Sequence, residues 1–299
     1  MASNSDWAGG LTAVRRFGFG ARSGSLAEAA RDPRGFVRAD LAKTDATLLD
    51  AGLLSGADAL ARLFDEQERI KAERARTASA EATDRAMSAT PGGAAVVPAP
   101  RTMEAAVPKP AEPSLEQKIF RAEAAARLRA QIEAEVGFVE RLVAFWSNHF
   151  AISVAKDQFL RVTAGAFERE AIRPHVLGRF ADMLVAVERH PAMLNYLDNR
   201  QSIGPGSKVG RDEGKGLNEN LAREILELHT LGVGGGYDQA DVTSFARVLT
   251  GWTVGGRGAK PGTVGAFVFH AGAHEPGRQT ILGRAYAEAG EAQGLAVLA

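Results

Sequence analysis

Leu217-Asn-Glu-Asn-Leu-Ala-Arg-Glu-Ile-Leu-Glu-Leu-His-Thr-Leu-Gly232 is the stretch on which the fold turns. At ~100° per residue, Leu217, Leu221, Ile225, Leu228 and His229 share one arc, so the spacing predicts a helix from Asn218 to Leu231 that Gly232 ends. Glu219, Arg223 and Glu227 recur at i, i+4 and i+8 on the other side, the pattern of exposed ion pairs. The apolar arc should be buried centrally against the segment Phe138 to Phe150.

Downstream of this stretch, Asp238 begins the clearest helix. It is an N-cap with Asp241 three residues on, followed by Val242, Phe245, Ala246 and Leu249 on one face and by Gly251 as a stop. Upstream, Pro174 suits the first turn of a helix carrying Leu177, Phe180, Leu184 and Val187, which His190-Pro191 ends before a short helical turn through Leu197. The Gly/Ser/Lys-rich run 204–216 reads as a loop. Ser114 and Gln117 form a capping box ahead of a helical run reaching Phe145-Trp146, with a break near Gly137. Asp58 to Arg85 is Ala, Glu and Arg with few breakers and reads as helix, whereas Thr90 to Pro113 is Pro/Ala/Gly-rich and reads as linker. Only the tail reads as strand, Ala266 to Phe269 and Thr280 to Leu282. The expected fold is mainly α, a multi-helix, bundle-like domain with a small C-terminal β-hairpin. Its expected organisation is an N-terminal helical segment (1–64), a charged helix and Pro/Ala-rich linker (65–113) and a main helical domain with the hairpin (114–299).

Composition narrows function by exclusion. With 36 basic and 36 acidic residues there is no surplus charge to draw nucleic acid or anionic lipid to the whole surface. Cysteine is absent, so thiol catalysis, disulfides and Cys-ligated metals drop out, and a metal site would have to use His, Asp and Glu. No apolar run approaches the roughly 18 residues that a membrane-spanning helix needs. The first 20 residues lack an apolar export segment, so the expected setting is cytoplasmic. Gly234-Gly-Gly236 and the 204–216 run lack the preceding strand and the Gly-Lys-Ser/Thr pattern of a phosphate-cradling loop, which excludes nucleotide binding of that type.

All six histidines lie in the second half. His149 shares a helical stripe with Phe138, Leu142 and Phe145, so its ring is expected to point into the core, either held by a backbone carbonyl or a carboxylate or acting as a ligand or general base. His229 faces inward with the arc of its helix. Glu224 lies about 140° around the axis from His229, which makes the two poor co-ligands, and the Glu-x-x-His spacing of bundle metal sites is absent here. Asp198, in Tyr196-Leu-Asp-Asn199, is either a turn acceptor or a catalytic carboxylate. Arg161, Arg169, Arg173 and Arg179 surround His175 as a local basic cluster. Arg173 and Arg179, with Arg223 on its ladder, are candidates to grip an anion. His270 and His274 have i, i+4 spacing but no helix to align them. No metal set is assigned.

Several motifs together resemble the bacterial family catalogued as domain of unknown function 1800. They are Arg-Arg-Phe-Gly-Phe-Gly (15–20), Phe-Trp-Ser-Asn-His-Phe (145–150), Ala-Ile-Arg-Pro-His (171–175), His-Pro-Ala-Met-Leu-Asn-Tyr-Leu-Asp-Asn (190–199), the 217–232 stretch and Leu-Thr-Gly-Trp (249–252). The resemblance implies no defined activity. It implies a partner, since members tend to be encoded beside a second family resembling sulfatases and alkaline phosphatases. It also implies C-terminal truncation, because members usually continue with a further helical region. Glu275 stands where the family usually has Asp, and Ser147 where a larger polar residue is common.

Two functions are compatible with these residues. One is a structural or binding module whose His, Asn, Arg and Glu groups form a buried network. The other is a hydrolase, metal-assisted or not, using His149, His229 and Glu224 or Asp198.

Overall fold

The computed structural model describes residues 4–42, 46–48, 52–88, 112–213, 216–260 and 262–299. Most of these residues are helical: α1 Asn4–Thr12, α2 Ser25–Arg31, α3 Pro33–Leu41, α4 Gly56–Ser88, α5 Leu115–Glu133, α6 Phe138–His149, α7 Gln158–Phe167, α8 Phe180–Arg189, α9 Pro191–Tyr196, α10 Lys208–Glu213, α11 Asn220–Glu224, α12 Gln239–Leu249 and α13 Glu291–Leu298. The protein is mainly α, with a little antiparallel β near the C-terminus. Of the Pro/Ala-rich linker, positions 90–111 lie outside the described residues.

The core gathers the inner faces of α6, α7, α8, α9, α11 and α12, and its fully buried side chains include Val143, Leu160, Leu194, Leu221 and Leu249. Ala59, Leu60 and Leu63 of α4 pack with Phe159 and Val162 of α7. Beyond that contact α4 runs on as a solvated helix, exposed over 71–85, where Ala, Glu and Arg present no apolar stripe to bury. The α1–α3 unit is joined by a small apolar cluster, in which Val14 and Phe36 pack with Val136 and Phe138, and by polar bonds. Val139 N–H donates to Asp40 at 2.9 Å, and the Arg22 guanidinium donates to the carbonyls of Ile132 and Glu133 at the end of α5.

Local chemistry sets the helix ends as read. The Ser114/Gln117 and Asp238/Asp241 capping boxes are both formed, and Gly137 breaks α5 from α6 in the left-handed conformation (φ 86°). Four expectations are corrected. The helix expected at Pro174 starts at Phe180, because Gly178 N–H bonds back to the His175 carbonyl and turns the chain, leaving Leu177 and Phe180 exposed. The run 204–216 is not all loop, since α10 forms in it with Gly210 N–H donating to the Ser207 hydroxyl. The tail segments Phe267–Phe269 and Gln279–Ile281 are strands but do not pair with each other. Trp252–Val254 (β1) pairs with Phe267–Phe269 (β2), and Gln279–Ile281 (β3) pairs with Arg284–Tyr286 (β4). The two-residue turn Leu282-Gly283 has positive φ at both positions, and Leu282 N–H donates to Asp241 on α12 at 2.7 Å, which pins that turn.

The fourth correction concerns the 217–232 stretch. It is α-helical only to Glu224 and continues as a π turn, Ile225–Thr230, with Leu231 N–H bonded to the Leu226 carbonyl five residues back. A wider turn advances fewer degrees per residue, so positions after Ile225 rotate off the predicted arc. Leu221, Ile225 and His229 are buried as expected, but Leu228 is 56% exposed and Leu226 takes its place inside.

Candidate functional site

The apolar face of α8 buries Met183, Leu184 and Val187, and Glu188 follows on the same face one turn after Leu184. Packing of its neighbours therefore carries a carboxyl fully out of water. It meets His229, whose Nδ1 lies 2.8 Å from Glu188 Oε1, and the second oxygen, Oε2, has no hydrogen-bond partner. Burial pushes the Glu188 carboxyl above the usual glutamate range. The His229 bond pulls the other way without cancelling it, while nearby Glu224 adds to the rise and His149 opposes it.

His149 does not enter the core. The buried residues of α6 are Val139 and Val143, and the stripe through Phe145 is its shoulder: Phe145 is 58% exposed and His149 half-buried. The ring sits among Phe145, Trp146, Phe150 and Phe180, 6.1 Å from the His229 ring between centroids. Its Nε2–H donates to the His229 backbone carbonyl at 3.1 Å, a carbonyl at the C-terminal end of the π turn. Of the sequence candidates, His229 therefore contacts Glu188 directly, while Glu224 and His149 act on it electrostatically. Asp198 bonds elsewhere: its Oδ1 accepts from Lys156 Nζ at 2.7 Å, in a left-handed turn (φ 58°) that Asp tolerates. Among the described residues no three His, Asp or Glu side chains converge to hold a metal ion.

The arginine candidates separate in the same way. Arg173 is buried and gripped by Glu140 and Glu168, with the Ala46 carbonyl accepting as well, so its donors are directed at the protein itself. Arg223 lies on the ladder, which is half-buried and not fully exposed as expected, paired with Glu219 and Glu227 and also donating to Gln239. Arg179 is exposed, just before α8. Arg169 pairs with buried Glu123 at 2.6 Å and also donates to the Leu54 carbonyl. A second Glu–His pair joins Glu170 to His190: His190 Nδ1 accepts from Ala192 N–H, and its Nε2–H donates to Glu170 at 3.1 Å. Glu170 also accepts from Gly56 N–H at the start of α4. Burial tends to raise its pKa, but these bonds outweigh it and hold the carboxyl below the usual range. Asn199, wholly buried, donates to the carbonyls of Leu249 and Trp252, and His274 Nδ1–H donates to the Thr250 carbonyl.

A family model described as "Protein of unknown function (DUF1800)" matches residues 12–299. The chain belongs to that family. No curated protein and no solved structure matches it.

In this DUF1800 chain the 145–150 motif supplies His149, and the 217–232 motif supplies Glu224 and His229. Glu188 and Glu170, which hold the buried imidazoles of His229 and His190, were missed in the sequence. Glu188 stands just before the 190–199 motif. A signal for it was present: a carboxylate continuing the Leu184 face of an amphipathic helix must be buried, and a buried carboxylate requires a partner.

Proposed function

We propose that this chain is a non-catalytic binding or assembly module whose His, Asn, Arg and Glu groups lock the helices of its core together. The observation that carries this reading is the sealed His229–Glu188 pair, in which both side chains are out of reach of a solvent-borne substrate. The expected setting is cytoplasmic. The expected partner is the sulfatase- or phosphatase-like protein that accompanies the family, and the solvated arm of α4 offers it a surface. His149→Ala should lower stability in urea melts by about 1–3 kcal/mol, and His229→Ala, which strands the buried Glu188, by ~3–5 kcal/mol. Variants as stable as wild type that nonetheless lose a cellular activity would overturn the reading.

One observation favours the alternative, a hydrolase using His149, His229 and Glu224 or Asp198: the half-exposed His149 ring lies 6.1 Å from the ring of His229, which bonds a carboxyl whose pKa is raised, and raised carboxyls recur in acid–base sites. Elemental analysis of the purified, unchelated protein separates the two. A stoichiometric first-row metal lost on His149→Ala supports the hydrolase. A metal-free protein without hydrolytic turnover of ester substrates leaves the module.

A further inference from the structure

Far from the His/Glu network, α1 and α3 lie side by side with a groove of about 660 Å³ between them. Ala8, Gly9, Thr12 and Ala13 form one wall, and Phe17, in the turn after α1, extends it. Pro33, Arg34, Val37 and Arg38 form the other. The α1 wall is shallow because its residues are small. A Cβ placed on Gly9 would come within 3.0 Å of Pro33 Cγ, so glycine there lets the two helices approach.

Among the described residues no carboxylate lines the groove. Arg34 and Arg38, both exposed, are one helical turn apart on α3. Unlike Arg173, Arg169 and Arg223, neither Arg34 nor Arg38 has an acidic partner among the described residues. An apolar, small-residue floor beside two unpaired cations at i, i+4 is complementary to a helix with an apolar face and acidic residues at the same spacing, since i, i+4 positions on any α-helix lie about 6 Å apart.

We propose that the α1/α3 groove docks an acidic amphipathic helix of a partner protein, with apolar anchors over Ala8, Ala13 and Val37 and a pair of Glu or Asp residues one turn apart on Arg34 and Arg38. A membrane is the weaker match, because the apolar surface is concave and a bilayer has no ridge to fill it. The proposal rests on the module reading and adds to the α4 arm a second docking surface, with a partner chemistry of its own.

The test titrates the full chain into a labelled helical peptide of about 18 residues, with Leu at i, i+3 and i+7 and Glu at i, i+4 on the flank, against the same peptide with Lys for Glu. Vesicles of anionic phospholipid form a parallel arm. The expected result is saturable binding of the Glu peptide, at least about tenfold weaker for the Lys peptide and for R34E/R38E, and lost in Ala8→Trp, which fills the groove from an exposed position. Equal binding of both peptides, no effect of Ala8→Trp, or binding to vesicles alone would overturn it. Urea melts of R34E/R38E and Ala8→Trp should match wild type, which separates failure of the groove from failure of the buried network that defines the module.

Discussion

Among the described residues, two Glu–His pairs answer burial in opposite ways. Glu188 and His229 are both sealed, and Glu188 is left with one unmet oxygen, so burial wins and its carboxyl is pushed up. Glu170 keeps 36% of its side chain exposed and receives both the His190 ring and the Gly56 N–H, so hydrogen bonds win and its carboxyl is held down. The difference shows that a histidine beside a carboxylate does not fix the charge state of the pair. The decision lies with the second oxygen and with access to water.

The strongest way to break this comparison is to remove each histidine. His229→Ala leaves Glu188 buried without a partner and should cost ~3–5 kcal/mol in urea unfolding, whereas water can reach Glu170 after His190→Ala, which should cost only ~1–2 kcal/mol. Equal losses would mean that exposure does not separate the pairs. Close to the first in size, Leu221→Ala and Ile225→Ala should each cost ~2–5 kcal/mol through lost transfer energy and a cavity, while Leu228→Ala, outside the π turn's buried face, should cost well under ~1 kcal/mol.

Stability against pH sharpens the contrast further. Between the ordinary glutamate value and Glu188's raised one, the folded state holds a proton that the unfolded chain has lost, so Glu188's contribution falls as pH rises, by at most ~1.4 kcal/mol per pH unit. Between Glu170's lowered value and the ordinary one the unfolded chain holds the extra proton, so Glu170's contribution grows with pH and is lost on acidification. Glu188→Gln should therefore flatten a decline above about pH 4.3, and Glu170→Gln should flatten a rise below it, each read as the difference from wild type in urea melts across pH. Slopes of the same sign would refute the assignment. The smallest effects belong to the half-buried ladder: single Ala variants of Glu219, Arg223 and Glu227 should each cost under ~1 kcal/mol and lose most of that at high salt.

The helices legible in the sequence were those with their signals close together along the chain. The Asp238 and Ser114 caps, the Gly137 break and the Glu219–Arg223–Glu227 ladder depend on residues three to eight positions apart, and each is formed as read. The histidine positions were legible only in part. His229 lies inward as its arc implied, but His149 was placed in the core by a stripe whose other members, Phe138, Leu142 and Phe145, turn out to form the shoulder of α6.

By itself the sequence determined the helical class, the principal caps and stops, the absence of thiol chemistry and membership in a family whose motifs run along most of the chain. Tertiary structure alone decided the rest. It set which strand pairs with which in the tail, where the 217–232 helix widens into a π turn that turns Leu228 out and Leu226 in, and which carboxylates meet the buried imidazoles. The physical reason is range. Caps and helical faces follow from local hydrogen bonds and a fixed angular step, whereas Glu188 reaches His229 across 41 residues only because packing of α8 forces a carboxyl out of water and toward the one imidazole within reach.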